Sequence, residues 1–346
     1  MSWPQRHSEG AISSMNYAGV APDMGTIAVA LTAVVLAVRE DEPVVAVLAA
    51  AAADEPQRQA LPGGLFSADE HDSLDAGLRT CVERQTGLEL RQTRQISTAS
   101  ARGGGANGGH DSVASVVLSI SYLALLGPEQ LNPRGSVTWQ SWYHYFPWED
   151  WRQGRPACLK QDIEPALRAW AAADPACVSE GPGRSQRVRL CFGCDGAAWD
   201  EEKVLERYEL LCEAGLLHDG EYARAEQRPV VRGLSAFRQA ALGDHRRALA
   251  SAIAELRRLI KYRPVVFELM PEVFTLFELQ KTVEAILGPH LHKQNFRRLV
   301  EGGGLVEPTA QYRFRTGGRP ARLYRFRPDV LLERLAPGVR IKHGRV

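Results

Sequence analysis

Residues 275–308 read TLFELQKTVEAILGPHLHKQNFRRLVEGGGLVEP, and residues 312–328 read YRFRTGGRPARLYRFRP. The first piece places Leu276, Leu279, Val283 and Ile286 on one helical face behind Thr275, which stands at an N-cap position. A second helical pattern follows over 288–302. It buries Leu291, Phe296, Leu299 and Val300 and turns Lys293, Gln294, Arg297 and Arg298 outward, with Asn295 nearer the buried side. At Tyr312 the period drops to two. Tyr312 and Phe314 alternate with Arg313 and Arg315, the chain turns at Thr316-Gly317-Gly318, and Tyr324 and Phe326 alternate with Arg325 and Arg327. Alternation about a Gly-Gly turn predicts a two-stranded ribbon with an aromatic face and an arginine face.

Charge points the same way. The whole chain carries only +1, yet residues 289–346 hold thirteen Lys+Arg against four Asp+Glu, a net of +9. The remainder holds 29 against 37, a net of −8. Such segregation is the footprint of one domain that meets phosphates and another that does not. Helix, short turn, basic helix and basic hairpin describe a winged helix-turn-helix. Its second helix is expected in the major groove of double-stranded DNA through Lys293, Gln294, Asn295, Arg297 and Arg298. The wing residues Arg315, Thr316, Arg319 and Arg322 are expected on the backbone or minor groove. A two-fold protein of this kind takes a palindromic operator with half-sites about 34–36 Å apart or a multiple of it.

The 346 residues, 45% of them hydrophobic, allow two or three domains. Two apolar runs, 26–38 and 44–53, are separated by Arg39, Glu40, Asp41 and Glu42. Neither approaches the roughly 20 residues that cross a bilayer. The first 24 residues read as a flexible leader without a signal sequence, so a cytoplasmic protein with six reduced cysteines is expected. Cys191 and Cys194 have CxxC spacing but no second pair at zinc-ribbon distance. With Cys191 ending a strand-like RVRLC run, packing is the expected role and no metal is assigned.

The N-terminal region reads as an α/β unit. Residues 27–38 and 44–48 look like paired strands across an acidic turn. A helix spans 73–86 on the stripe Leu74, Leu78 and Val82 and stops at Gly87, and 113–126 supplies another strand. Residues 97–111 read as a Gly-rich mobile loop that lacks the ending of a P-loop. Further on, amphipathic helices are expected over 199–217 and 244–262. The second carries Leu249, Ile253, Leu256 and Ile260 and serves either as a dimer seam or as packing against the winged domain.

Leu61-Pro62-Gly63-Gly64, then a helix closing on Thr86-Gly87-Leu88, resembles the Nudix box, whose helix glutamates bind magnesium for pyrophosphate hydrolysis. With Gly87 on the box glycine, Thr80 stands at the Arg position and Cys81 at the first helix acid. Arg84 and Gln85 replace the paired acids, with Glu83 at the variable position. The fold signal therefore survives while the carboxylates are gone. A degenerate Nudix domain followed by a winged helix resembles the NrtR group, the Nudix-related transcriptional regulators of NAD metabolism. WYHYFPWEDWRQGRPA (142–157), IKYRPVVFELMPEVFTLFELQ (260–280), HKQNFRRLVE and TGGRPARLYRF point to its NadQ-like branch. The resemblance implies a homodimeric repressor of NAD-biosynthesis genes. Its Nudix-like domain would bind an adenine nucleotide effector (ATP, NAD or ADP-ribose) without hydrolysing it.

Without magnesium, the effector's phosphates need arginines. The expected nucleotide-binding residues are Arg39, Arg84 and Arg102, with Gly63 and Gly64 allowing close backbone approach. One aromatic of the Trp139–Trp151 segment is a candidate to stack on adenine, and core packing is the alternative for each. Two other readings stay open. One is a Nudix hydrolase with an accessory DNA-binding domain, holding its metal on Glu70, Asp72 and Glu83. The other is an architectural or RNA-binding protein. The expected division is a leader over 1–24, a sensing domain over 25–182 and the end of the sensor with a helical connector over 183–262. A winged helix-turn-helix over 263–338 and a basic tail over 339–346 complete it.

Overall fold

The computed structural model describes residues 27–49, 59–103, 115–131, 137–173, 182–217, 245–314 and 320–330. In chain order the first elements are β1 (Ile27–Arg39), β2 (Glu42–Ala49), β3 (Gln59–Ala60), β4 (Gly63–Leu65) and α1 (Leu74–Thr86). Then come β5 (Thr93–Gly103), β6 (Ser115–Leu125), β7 (Val137–Ser141), α2 (Glu164–Ala172), α3 (Arg184–Phe192) and α4 (Val204–Glu213). The chain continues through α5 (His245–Tyr262), α6 (Leu276–Leu287), α7 (Lys293–Gly302), β8 (Val306–Arg313) and β9 (Ala321–Phe326).

β1 is the axis of a seven-stranded mixed sheet. Its sequence IAVALTAVVLAVR is almost unbroken in apolar residues because both of its faces are covered. Alternate side chains divide between two cores. Val34 and Leu36 join Val45 and Val47 on one face, while Leu31, Ala33 and Val35 meet Leu78 and Val82 of α1 on the other. Along one edge β1 pairs in parallel with β6, from Ile27↔Val116 to Leu36↔Leu125. Along the other it takes β4 at Ala30–Thr32 and β2 at Leu36–Arg39, both antiparallel. The expected acidic turn closes the β1–β2 hairpin with Glu40 and Asp41 at φ 51° and 62°, the left-handed geometry that two-residue hairpins favour.

α5 covers the face that carries Val34 and Leu36. Leu249, Ile253, Leu256 and Ile260 are all fully buried, in one core with Val34, Leu36 and Tyr208 of α4. Burying each contributes about 1.5–3 kcal/mol, so a stripe open to water would have been costly. The stripe thus belongs to the core of the chain itself, and the seam expectation is corrected on that ground. α4 is also shorter than the expected 199–217 helix. RVRLC is helix, not strand: Val188 and Phe192 are buried at i and i+4, and Gly193, at φ 61°, ends α3. β5 extends through 97–103, so part of the expected loop is strand, and 104–111 lie outside the described residues.

The C-terminal third is the expected winged helix. Thr275 caps α6 by accepting from the Glu278 N–H at 3.1 Å, and the Glu278 carboxylate accepts from the Thr275 N–H at 2.9 Å. Gly288, at φ 98°, ends α6, and α7 starts only at Lys293 because Gly288 and Pro289 interrupt the pattern. Phe296 and Val300 seat α7, and β8 pairs antiparallel with β9 from Val306↔Phe326 to Arg313↔Ala321. The buried core runs without a break from the sheet into this module, through Leu276, Leu279, Val283, Ile286 and Phe296.

Candidate nucleic-acid interface and effector site

α7 presents the expected basic face. Lys293, Gln294, Arg297 and Arg298 are exposed, and so is Asn295, which sequence phase had set closer to the interior. The helix start at Lys293 explains that difference, since its first turn is anchored by Phe296 alone. Arg297 and Glu301 share the hydroxyl of Tyr324, which reaches Glu301 at 3.1 Å and joins the helix to the ribbon. Arg322 is exposed on β9 opposite Tyr312. Arg315, Thr316 and Arg319 lie outside the described residues.

The ribbon departs from the expected pair of faces. Tyr324 is buried and Phe326 stacks on Phe267 with centroids 4.4 Å apart, but Tyr312 and Phe314 stand in solvent. On the other side Arg325 pairs with Glu307 across the strands, and Arg313 pairs with Glu278 of α6. A register shift between Pro308 and Tyr312 separates the packed base of the ribbon from its open end.

Behind this interface lies a buried charge cluster that sequence reading missed. Glu149, Arg207 and Arg257 are all fully buried. The Glu149 carboxylate accepts from Arg207 Nε at 2.6 Å and Nη2 at 2.9 Å, and from Arg257 Nη1 at 2.6 Å. Burial alone would push this carboxyl up, but Arg207 and Arg257 hold it below the usual carboxylate range. Arg257 Nε also donates to the Ile286 carbonyl at 2.9 Å, near the C-terminus of α6, and Tyr143 Oη donates to the Ala285 carbonyl at 2.7 Å. A Cβ on Gly288 would come within 3.1 Å of Trp151 Cβ. The turn before α7 is thus built against the 142–151 segment of the α/β domain. Sequence offered only one signal for this: three charged residues set inside otherwise apolar patterns.

The strand–loop–helix of the box is present in the α/β domain. Ser73 caps α1 and Gly87 ends it at φ 69°, with its N–H on the Glu83 carbonyl. Gly63 and Gly64 stand opposite Thr32 and Leu31 of β1, and a Cβ on Gly63 would lie 2.2 Å from the Leu31 carbonyl oxygen. Gln85 occupies a box acid position, yet it accepts from the Gly63 N–H at 3.0 Å and donates to the Gly63 carbonyl at 2.8 Å. An amide can do both, whereas a carboxylate can only accept. Cys81 lies beside Gly64, its thiol pushed up by burial against the opposing charge of Arg84. Thr80, Cys81, Arg84 and Gln85 do not fit a magnesium site. Glu70, Asp72 and Glu83 are exposed, and among the described residues no three His, Cys, Asp or Glu side chains are grouped to hold a metal.

The five expected nucleotide contacts do not converge. Gly63, Gly64 and the exposed Arg84 belong to one strand–helix unit. Arg39 sits at the far end of β1, seven residues past Thr32, or roughly 23 Å of extended chain. Arg102 pairs in the ladder with Val116, itself beside Ile27 at the opposite end of the sheet. Core packing claims most of the aromatic segment: Trp142, Tyr143, Tyr145, Phe146 and Trp148 are buried, and Trp151 packs on Trp199. Cys194 is buried and Cys191 half-buried, each with its thiol pushed up by burial.

Against known proteins, residues 266–326 match the NrtR DNA-binding winged helix domain. Over 83 residues, 24% of this chain, the chain is 46% identical to the ADPR responsive transcriptional repressor NtrR of Acinetobacter baylyi. It spans about a third (33%) of the length of that curated relative. The crystal structure of Shewanella oneidensis NrtR complexed with a 27mer DNA superposes with a TM-score of 0.47 at 19% identity, covering 87% of this chain and 94% of that one. A MutT/nudix family protein from Enterococcus faecalis superposes at 0.43 and 13% identity, covering 89% and 90%. Likeness at this level leaves the description of the α/β domain to its own geometry. No described helix is long and apolar enough to cross a membrane.

Proposed function

We propose that this chain is an NrtR-type transcriptional repressor, and not an enzyme. It binds a palindromic operator as a homodimer through α7 and its wing, under control of an adenine nucleotide held in the α/β domain. The observation that carries this reading is the exposed set Lys293, Gln294, Asn295, Arg297 and Arg298 on the second helix of a module matching the NrtR winged helix family. Polar groups exposed along one face of a helix that is otherwise well seated suit a partner, and phosphate and base edges fit this set. ADP-ribose is the first effector to try, because the matching relative is an ADPR responsive repressor. ATP and NAD come next. The amide clamp at Gln85 supports binding without hydrolysis, since it occupies a position where an acid would hold metal. On the block resemblances we also propose that the chain belongs to the NadQ-like branch, with NAD-biosynthesis genes as targets. We further propose that the residues before the winged helix, 25–262, form the sensing part with its helical connector.

The test is fluorescence anisotropy on duplexes from upstream of the organism's NAD-synthesis genes, against scrambled DNA, with and without ADP-ribose, ATP and NAD. Selective binding that one nucleotide shifts is the expected result. Equal affinity for operator and scrambled DNA, unaffected by every nucleotide, would overturn the reading.

A further inference from the structure

The bare aromatics of the wing have a use that the ribbon pattern did not suggest. Tyr312 is 50% and Phe314 78% exposed, and two residues apart in extended chain they share a face. Tyr312 stands opposite Arg322 in the ladder, so Arg322 belongs to that face too. Arg313 between them is turned away and tied to Glu278. Two residues beyond Arg322, Tyr324 reaches Glu301 and Arg297 on α7. The face therefore continues from the exposed side of α7 toward Tyr312 and Phe314 at the open end of the ribbon.

Two large aromatic rings held in water on a soluble surface mark a contact. The surrounding charge selects the partner. Residues 289–346 carry a net +9, and Arg313, Arg322 and Arg325 lie on the two strands of this ribbon. A second copy of the same positive face would be repelled, whereas a polyanion is attracted. Among polyanions, duplex DNA offers a groove floor where an apolar side chain wedges between base steps while arginines hold the flanking phosphates.

We propose that Phe314, supported by Tyr312, is an apolar wedge that enters the minor groove beside the site read by α7 and partly unstacks one base step there. The proposal rests on the DNA-binding reading above. It adds a preference for easily unstacked pyrimidine–purine steps under the wing, at positions that no hydrogen bond reads.

The experiment uses the full chain and a duplex selected on the wild-type protein from a randomised pool, with 2-aminopurine walked through the flanking positions. Wild-type binding is expected to raise 2-aminopurine fluorescence at one step on each side. Phe314→Ala is expected to abolish that rise and weaken binding about tenfold, the scale of one lost base–aromatic contact. Phe314→Leu should retain most of both, and Tyr312→Ala should show a smaller loss. Unchanged affinity and fluorescence with Phe314→Ala would overturn the wedge while leaving DNA recognition intact. A pool that yields no preferred sequence would remove the DNA reading, and the wedge with it. A change in oligomeric state on Phe314→Ala, with DNA affinity unchanged, would reassign the face to contact between copies.

Discussion

α1 with its preceding strand and α7 with its preceding helix are built alike and used in opposite ways. Each follows a side-chain cap, Ser73 before α1 and Thr275 before α6, and each unit turns through a positive-φ glycine, Gly87 and Gly288. On α1 Gln85 and Arg79 are spent internally, Gln85 clamping Gly63 and Arg79 held by Asp75 and the Arg91 carbonyl, although Glu83 and Arg84 are exposed. On α7 five polar side chains in the first two turns are exposed, Arg297 while also reaching the Tyr324 hydroxyl. A helix whose polar groups are satisfied within the chain is structural, and one whose polar groups are left open awaits a partner. If that contrast is right, substitutions behind or within the satisfied parts cost stability, and substitutions on the bare face cost only binding.

The largest effect is expected where the outward-facing unit is fixed from behind. Glu149→Gln removes the charge that compensates Arg207 and Arg257 in a site with no water-exposed side chain. It should destabilise the protein by about 3–5 kcal/mol, as breaking a buried pair does. Urea unfolding measures this. A loss under about 1 kcal/mol would mean that the cluster is solvated and does not anchor α6. Gly288→Ala probes the same junction more mildly, because φ 98° suits glycine and a Cβ there would crowd Trp151.

The entry to the Gly-Gly strand gives a pH signature. His245 Nδ1 accepts from the Leu61 N–H at 2.7 Å, so the ring is neutral with its proton on Nε2. The residue keeps some solvent-exposed surface, yet the ring is packed within protein, and burial pulls its pKa from 6.5 down to about 4. The sign follows from the depressed folded value. Above pH 6.5 neither state is protonated and the contribution is complete. As pH falls toward 4 the unfolded chain takes up the proton first, and up to roughly 3 kcal/mol of stability is lost. His245→Asn keeps an acceptor at the Nδ1 position and cannot titrate. Its stability should fall less over that window, and identical pH profiles for the two proteins would sink the assignment.

A smaller loss is expected on α1 itself. Gln85→Glu restores a box acid in name. The carboxylate can still accept from the Gly63 N–H, but it faces the Gly63 carbonyl without a donor. The cost should be about 1–3 kcal/mol, the penalty for an unsatisfied polar group. A variant that gained stability with added magnesium would instead show that the box still offers a metal position.

Local sequence signals foretold much of this. Thr275, Gly87 and the apolar stripes of α1 and α6 act over three or four residues, so they stand out in a single sequence. What escaped was set by distance along the chain. Glu149 meets Arg207 58 residues away and Arg257 108 away, and nothing near any of them announces the others. RVRLC reads equally as strand or helix over five residues, and Gly193 against the Trp199 backbone decided for helix. The exposure of Tyr312 and Phe314 was hidden because alternation gives a face but not what covers it. The arginines Arg39 and Arg102 failed to join Gly63 because strand register, invisible in the sequence, sends them to opposite ends of the sheet.

The smallest stability effect, and the one that tests the contrast most sharply, belongs to α7. Arg298 is exposed on a helix seated by Phe296 and Val300, so Arg298→Ala removes no buried contact. Its unfolding free energy should stay within about 0.5 kcal/mol of wild type, as for surface changes away from special features. Operator binding should nonetheless weaken by about 1–3 kcal/mol if the guanidinium reads a base edge, and discrimination against altered operators should relax. If it meets only a phosphate, all sequences should weaken alike and the salt slope should become shallower. A variant that unfolds readily while binding as before would reverse the contrast, because the bare face of α7 would then be structural and the reader would have to be sought elsewhere.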